Sequence, residues 1–183
     1  MTSLPHDRLA YRIDRSDVIT AVNDAWEPFA QANDASHLAN VLGQSVWDHV
    51  SDDTTRQVYR DLIAGVRRGR TVTFTYRCDA PGLRRFMRMT MLPEPDGAVG
   101  FDSIVERAEP RAPVPLLAPP DDRPGSDVLR MCSWCKRVHL DEAWREVEVA
   151  VERLGLFHGG PMPGLTHGMC EACYARVTAA GDF

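Results

Sequence analysis

The chain has 183 residues, of which 44% are hydrophobic and 26% charged, and its formal net charge is −5. These values lie close to the averages of globular proteins, so they exclude collagen, wholesale disorder and a disulfide-dense mini-protein, and the acidic balance argues against nucleic acid as a partner. No stretch approaches the ~18 consecutive apolar residues of a membrane span and no apolar run typical of a secretory signal opens the chain, so we expect a cytoplasmic protein that engages no membrane and keeps its thiols reduced.

The first elements predicted are a β-hairpin and a short helix. Apolar residues alternate with polar ones on both sides of turn-forming residues 14–17, a pattern typical of a hairpin. The alternating positions are Tyr11, Ile13, Val18, Thr20 and Val22. Asn23 can cap the helix that follows. One face of that helix would carry Trp26, Phe29 and Ala30.

A longer helix is predicted between the aspartate pair Asp52–Asp53, which can cap its start, and Gly69, which suits its end. Its apolar stripe consists of Val58, Leu62, Ile63 and Val66. Arginines that lie off this stripe are predicted to form a solvated face, and they are Arg56, Arg60, Arg67 and Arg68.

Three strands are predicted after this helix. Residues 71–79 alternate with Val72, Phe74, Tyr76 and Cys78 on one face, and residues 83–92 with Met87, Met89 and Met91. A turn at residues 95–97 precedes the third, which carries Val99, Phe101 and Val105. The whole order therefore predicts an α+β domain with a five-stranded antiparallel sheet and helices on one face.

This order of elements, over residues 11–107, resembles a PAS domain. Two local motifs carry the resemblance further: residues 23–29 (NDAWEPF) look like the family's Asn-x-Ala-aromatic helix start, and residues 43–50 (GQSVWDHV) like its Gly-x-x-hydrophobic-aromatic segment. The resemblance implies a sensory or docking module over residues 8–107, which in some members of the family holds a small ligand between sheet and helices. It also implies a homodimer, because PAS-like sheets often dimerise.

The resemblance narrows which ligand the PAS-like unit could hold. Light sensors of the family need a flavin-reactive cysteine before the long helix, and residues 43–50 contain none. Haem sensors use a histidine on the long helix, which is absent here, and His49 is a poor substitute. Six aromatic residues either form the core or line a ligand cavity: Trp26, Phe29, Trp47, Tyr59, Phe74 and Tyr76. Cys78 is expected to be a buried small hydrophobe.

Prolines mark a break in composition after this unit. Six of the 13 prolines fall within residues 107–125. Proline lacks an amide donor and fixes φ, so an extended, semi-rigid linker is predicted over residues 108–127, with a packed irregular arm as the alternative. A second unit would then occupy residues 128–178.

Two Cys-x-x-Cys pairs fall in the second unit, Cys132 with Cys135 and Cys170 with Cys173. A two-residue gap lets both sulfurs of a turn reach one ion, and two such turns make a tetrahedral site for a soft metal. A unit of about 50 residues has a small core, to which structural zinc would add on the order of 10 kcal/mol of folding free energy. We therefore expect a structural zinc site with these four cysteines as ligands. The alternatives for His167 are that it replaces one of the four thiolates or that it donates a hydrogen bond to one of the sulfurs.

One helix is predicted in the 34 residues between the pairs. Asp141 can cap it, Gly155 can end it, and Trp144, Val147, Val151 and Leu154 recur at helical spacing. A turn rich in glycine and proline, residues 158–164, would return the chain to the second pair. The predicted unit is thus a small, zinc-ribbon-like α module.

Residues 130–177 resemble a small bacterial cysteine module that occurs at the ends of PAS-containing and receiver-containing signalling proteins. The shared pattern is Cys-x-x-Cys-Lys, then Trp144, then His-Gly-x-Cys-x-x-Cys. The resemblance implies a signalling role and contact with a signalling protein partner.

Two function classes follow from these features. The chain has no kinase motif, phosphate-cradling glycine loop or helix-turn-helix output, which favours a non-catalytic regulator that acts by binding. Hydrolytic zinc chemistry is disfavoured because four thiolates leave no open position for water. The alternative is a redox sensor that uses the cysteine pairs as a thiol switch or an iron–sulfur site. With two separate units, loss of a cysteine should unfold the second and leave the first intact.

Overall fold

The computed structural model describes residues 8–33, 35–118, 127–156 and 162–181. These residues form two β-sheets and four α-helices. No helix within the described ranges has the length and apolar character needed to cross a membrane.

The first sheet has five strands in the order β2-β1-β5-β4-β3, and all of its pairings are antiparallel. The strands are β1 (Arg8–Ile13), β2 (Ile19–Val22), β3 (Val72–Arg77), β4 (Leu83–Pro93) and β5 (Val99–Pro110). Between β2 and β3 the chain forms α1 (Trp26–Ala32), the 3-10 helices Ser36–Leu38 and Val46–His49, and α2 (Asp53–Arg67). The predicted α+β class with five antiparallel strands is therefore confirmed.

The register of the strands places the apolar residues of this sheet on one face. One row across the sheet consists of Val72, Met91, Phe101 and Tyr11, and the next contains Phe74, Met89 and Ser103. Residues two apart on a strand point to the same side, so both rows share a face. Trp26 of α1 contacts the ring of Tyr11, and Tyr59 of α2 contacts that of Phe74. Both helices therefore cover this face.

Helix α2 follows the sequence pattern closely. Asp52 caps it by accepting a hydrogen bond from the backbone N–H of Thr55 at 2.8 Å. The predicted stripe of Val58, Leu62, Ile63 and Val66 is buried. Gly69 has a φ of +96°, which suits a residue without a side chain just beyond the helix end.

The solvated arginine face predicted for α2 is confirmed in part, because Arg60 and Arg68 are exposed whereas Arg56 and Arg67 are half-buried. Arg67 donates to the carboxylate of Asp17 at 2.7 Å, and Arg56 donates to the backbone carbonyl of Val50 at 2.7 Å. The Arg60 guanidinium lies 5.1 Å from the centre of a tryptophan ring. These side chains tie the helix to the loops around it, which helical periodicity alone does not reveal.

The residues of strand β2 that point into the core differ from those that the sequence predicts. Ile19 is buried, whereas Val18 precedes the strand and Thr20 is exposed. The cause is an irregularity in the pairing between Arg12 and Ile13, which shifts the register by one residue.

Asn23 does not cap α1. Its side chain accepts a hydrogen bond from the backbone N–H of Ala10 at 3.1 Å and donates to the carbonyl of Arg8 at 2.9 Å. It therefore pairs with the backbone of β1 where β2 has ended, and α1 begins without a side-chain cap.

The second sheet has four strands in the order β8-β7-β6-β9. They are β6 (Val128–Cys132), β7 (Val138–Leu140), β8 (Ala143–Arg145) and β9 (Gly164–Gly168), accompanied by α3 (Val147–Arg153) and α4 (Glu171–Gly181). Strands β6 and β9 pair in parallel, and the other pairs are antiparallel. The expectation of an α module with one helix is therefore wrong.

The predicted helix from Asp141 to Gly155 is a turn, a strand and a shorter helix. Asp141 and Glu142 form the β7–β8 turn with φ values of 50° and 57°. Trp144 lies in β8, and α3 begins only at Val147. Gly155 follows the helix with a φ of +66°, as its end signal predicts. Residues 158–161 of the predicted glycine- and proline-rich turn lie outside the described residues.

The described part of the proline-rich stretch packs against the second sheet and α3. Strand β5 continues to Pro110, beyond the predicted boundary at Arg107, and Pro115–Leu117 forms a 3-10 helix. Val114 and Leu116 are fully buried in an apolar cluster with residues of β6, β7 and α3. Residues 111–118 thus form the packed arm rather than the extended linker, and residues 119–126 lie outside the described part. The division into units at 8–107, 108–127 and 128–178 stays a prediction.

Candidate metal centre and the adjoining cavity

The four cysteines of the two pairs meet at one point. Cys132, Cys135, Cys170 and Cys173 place their sulfur atoms within 4.8 Å of one another. The sulfurs of Cys135 and Cys170, which come from different pairs, are 3.8 Å apart. Three of the four cysteines are buried, and Cys135 is half-buried.

The first pair lies in the loop between β6 and β7. Cys132 ends β6, and its backbone N–H donates to the carbonyl of Arg137 at 2.8 Å. Lys136 closes the turn with a φ of 60° and donates its backbone N–H to the carbonyl of Cys132 at 3.0 Å. This left-handed residue reverses the chain and leaves both sulfurs of the pair on the same side.

The second pair lies at the start of α4. The carbonyl of Cys170 accepts hydrogen bonds from the N–H groups of Cys173 and Tyr174 at 3.0 and 2.9 Å, which begins the helix. The backbone N–H of Cys170 points at the sulfur of Cys132, 3.4 Å away. Helix N-termini stabilise thiolates, so this position favours metal-binding sulfur.

The parallel pairing of β6 with β9 brings the two pairs together. In this register Cys132 lies opposite Gly168, and Gly168 accepts a hydrogen bond from the N–H of Ser133 at 2.7 Å. A Cβ atom on Gly168 would lie 2.5 Å from Nε of Arg130, so the glycine leaves room for that side chain. The parallel register therefore places the start of the second cysteine pair beside the end of the first.

Crowding of the sulfurs changes their acidity. Hydrogen bonds from the thiols of Cys135 and Cys173, together with the N–H of Cys170, hold the pKa of Cys132 far below its ordinary value. The same hydrogen bond to Cys132 raises the pKa of Cys135 to about 12, and the pKa of Cys173 is also raised. One thiolate is therefore favoured, and a bound cation would have to displace the remaining protons.

The donor set fits a soft divalent ion. Four sulfurs with no carboxylate among them suit tetrahedral zinc or iron and leave no position for a fifth ligand. Arg176 donates to the sulfur of Cys173 at 3.1 Å, which would offset part of the negative charge of a tetrathiolate centre. His167 does not belong to this group of donors in the described chain, so the geometry favours the set of four cysteines.

A cavity of about 390 Å³ adjoins the metal centre. Its aromatic walls are Tyr11, Trp26, Trp47, Tyr59, Tyr76 and Trp134. Four of the six aromatic residues singled out from the sequence therefore line it, whereas Phe29 and Phe74 do not. Cys78 also lines it and is half-buried, not buried as expected, and His49 is an exposed residue at its rim.

One side of the cavity is built by the cysteine-bearing unit. Ser133, Trp134 and Lys136 from the first cysteine loop line it, and so does His167 of β9. Burial and the nearby Lys136 lower the pKa of His167, so its neutral form is favoured. Ser133 donates to the carboxylate of Asp52 at 3.0 Å and so connects this loop to the start of α2.

Trp134 forms the main apolar contact between the two units. Its ring centre lies 5.4 Å from that of Tyr59 and 5.3 Å from that of Phe74. Its carbonyl accepts a hydrogen bond from the N–H of Arg77 at 2.7 Å, at the open edge of β3. The sequence pattern did not identify Trp134 in advance. Its place between two metal-binding cysteines was the available signal, because a tryptophan does not bind the ion and its ring packs on another part of the protein.

Similarity to known proteins is found among solved structures. No family model matches the chain, and no curated protein matches it. The PAS domain of nitrogen regulation protein NR(II) from Vibrio parahaemolyticus is similar in structure, with 17% identity and a TM-score of 0.31. The alignment covers 57% of this chain and 99% of that domain.

Proposed function

We propose that this protein is a non-catalytic signalling regulator, in which a PAS-like sensor or docking unit acts together with a structural zinc centre. The observation that carries the proposal is the meeting of four sulfurs within 4.8 Å, with the loop of the first cysteine pair also lining the aromatic cavity. The same short loop supplies two of the sulfurs and one wall of the cavity. A structural change at the metal centre would therefore alter the cavity, and a change in the cavity would alter the metal centre.

Zinc is the metal we propose, with Cys132, Cys135, Cys170 and Cys173 as its ligands. A tetrathiolate centre has no open coordination position, which suits a structural role and not hydrolysis. The short β6–β7 loop and the start of α4 are held together mainly at this point, so the ion would contribute directly to folding. The output would then be a contact with a signalling protein partner.

A set of cysteine variants tests the proposal. Cys132→Ser and Cys170→Ser should each lose most of the roughly one zinc per chain that the wild type should bind. Cys78→Ser is the matched control, because Cys78 lies outside the group of four, and it should keep its zinc. Equal zinc in all four proteins, measured by elemental analysis, would contradict the proposed ligand set.

The second candidate function is a redox sensor on the same cysteines. The distance of 3.8 Å between the sulfurs of Cys135 and Cys170 favours it, because a small movement would bring them to disulfide distance. Mass spectrometry after mild peroxide treatment separates the two functions. A protein that binds zinc and keeps four reduced thiols supports the structural role, and a reversible Cys135–Cys170 disulfide supports the sensor.

A further inference from the structure

We propose that the cavity binds a planar aromatic molecule that carries one anionic group, with its ring between the aromatic walls and its anion at Lys136. The inference rests on the proposed function, since it assigns a ligand class to the sensor unit. It adds that the ligand is held by both units, because Lys136 belongs to the cysteine loop and the aromatic walls belong mainly to the first sheet and its helices.

The size and the walls of the cavity define the apolar part of the ligand. A volume of about 390 Å³ lies within the range of roughly 300–1,000 Å³ found for small-molecule sites. Tyr59 and Trp134 come from opposite units and form one continuous aromatic wall, in which their ring centres are 5.4 Å apart and the two rings touch. Flat rings gain most from such walls, since they stack or meet edges with little loss of conformational freedom.

The polar end of the cavity carries one uncommitted cation. The Lys136 ammonium donates to the carbonyl of Ser133 at 2.9 Å, and within the described residues no carboxylate pairs with it. Arg77, the other cation of the lining, is already paired with Asp79 and Glu146. An anionic group on the ligand would complete the charge balance at Lys136.

Asp52, the acidic residue at this end of the cavity, already accepts hydrogen bonds at both carboxylate oxygens. One carboxylate oxygen of Asp52 accepts from the N–H of Thr55 and the other from the hydroxyl of Ser133. Thr55 is only 6% exposed, and its own hydroxyl has no hydrogen-bond partner among the described residues. Buried hydroxyls are normally paired, so this group is available as a donor to a ligand.

Titration calorimetry on the full chain, with naphthoate and its neutral analogue naphthamide as probes, tests the inference. Naphthoate should bind the wild type about tenfold more tightly than naphthamide, which corresponds to about 1.4 kcal/mol. Lys136→Met should remove this preference by weakening naphthoate alone. Arg137→Met is the matched control, because Arg137 also follows Cys135 closely but does not line the cavity, and it should keep the preference.

A second variant tests the hydroxyl separately. Thr55→Val keeps the shape of the side chain and removes a group that has no partner among the described residues. It should weaken naphthoate at least threefold without lowering the midpoint of thermal unfolding, since no hydrogen bond within the described protein is lost.

The outcomes separate this inference from the proposed zinc function. No binding of either probe, equal binding of both, or an unchanged preference in Lys136→Met would overturn the ligand class. Zinc content is measured on the same samples, so a protein with about one zinc that ignores naphthoate disproves only this inference. A protein that binds naphthoate but contains no zinc contradicts only the structural-metal proposal.

Discussion

Arg77 is a charged residue at the junction of the two sheets whose side chain is almost fully enclosed. It pairs with Asp79, whose side chain is 0% exposed, and with Glu146 at 2.7 Å. Arg111 reaches the same Asp79 at 3.2 Å and Glu148 at 2.7 Å. This network connects the end of β3, the chain after β5 and the start of α3. No sequence pattern predicts it, because its three segments are far apart in the chain and meet only in the fold.

Loss of one partner from this network should be costly. Asp79→Ala would leave two arginines without their shared buried carboxylate, so we expect a loss of about 3–5 kcal/mol in the free energy of unfolding. Asp53→Ala removes a carboxylate that is fully exposed in its ion pair with Arg56 and should cost far less, because water screens exposed pairs. Urea unfolding of both variants measures the difference, and equal losses would show that the network contributes little.

The ion pairs of Glu146 in this network predict how the stability of the fold changes as the pH falls. Burial raises the pKa of Glu146, but hydrogen bonds from Arg137 and Arg77 outweigh it and hold that pKa below its ordinary value of 4.5. The Glu146 carboxylate is therefore protonated at a higher pH in the unfolded chain than in the folded chain. The stabilisation is therefore complete above pH 4.5 and is lost as the pH falls through the lower folded value.

Thermal unfolding at a series of pH values measures this effect. The wild type should be more stable than Glu146→Gln at neutral pH, and the gap should narrow and close as the pH falls below 4.5. Glu106→Gln, at a more exposed ion pair with Arg88, should show a small gap at every pH. A gap for Glu146→Gln that stays constant or widens on acidification would contradict the assignment.

At the scale of elements, local patterns predict local structure. Helix α2 and strand β4 are long, so Asp52, the stripe of α2 and the three alternating methionines of β4 identify them from the sequence. Strands β7 and β8 have three residues each, too few for a period to appear. The parallel pairing of β6 with β9 joins residues more than 30 positions apart, which no local pattern specifies. Yet the cysteine spacing alone predicted which four residues meet there.

The packing of the β6–β7 loop on α2 and β3 depends on Trp134. It is 4% exposed and lies between Tyr59 and Phe74, so Trp134→Ala should cost about 3–5 kcal/mol. Tyr174→Ala on α4 removes another aromatic ring, but one that is 50% exposed, and should cost much less. Urea unfolding tests both, and a loss below about 1 kcal/mol for Trp134→Ala would contradict its role at this junction.

For the whole molecule, the two predicted units share one core. Cys132, Trp134 and Val177 belong to the same buried cluster as Leu62 and Phe101 of the first unit. Composition and the proline-rich stretch indicated separate units, because neither reveals which surfaces meet in space. This shared core changes the expectation that loss of the metal would leave the first unit untouched.

Thermal unfolding of the intact protein tests this cooperativity. Tryptophan fluorescence and circular dichroism should report one transition at the same midpoint, since residues of both units pack in one cluster. Removal of the metal with a chelator should move the whole transition to lower temperature. Two separate transitions, of which chelation removes only one, would show that the units fold independently.

We propose that the four clustered cysteines hold a structural zinc ion. Elemental analysis and an absorption spectrum of protein purified in air, without added metal, identify the ion. We predict about one zinc per chain and a colourless sample, as expected for four thiolates around a closed-shell ion. Iron with visible absorbance, or no metal with the cysteines free or in disulfides, would contradict the claim and favour the redox sensor.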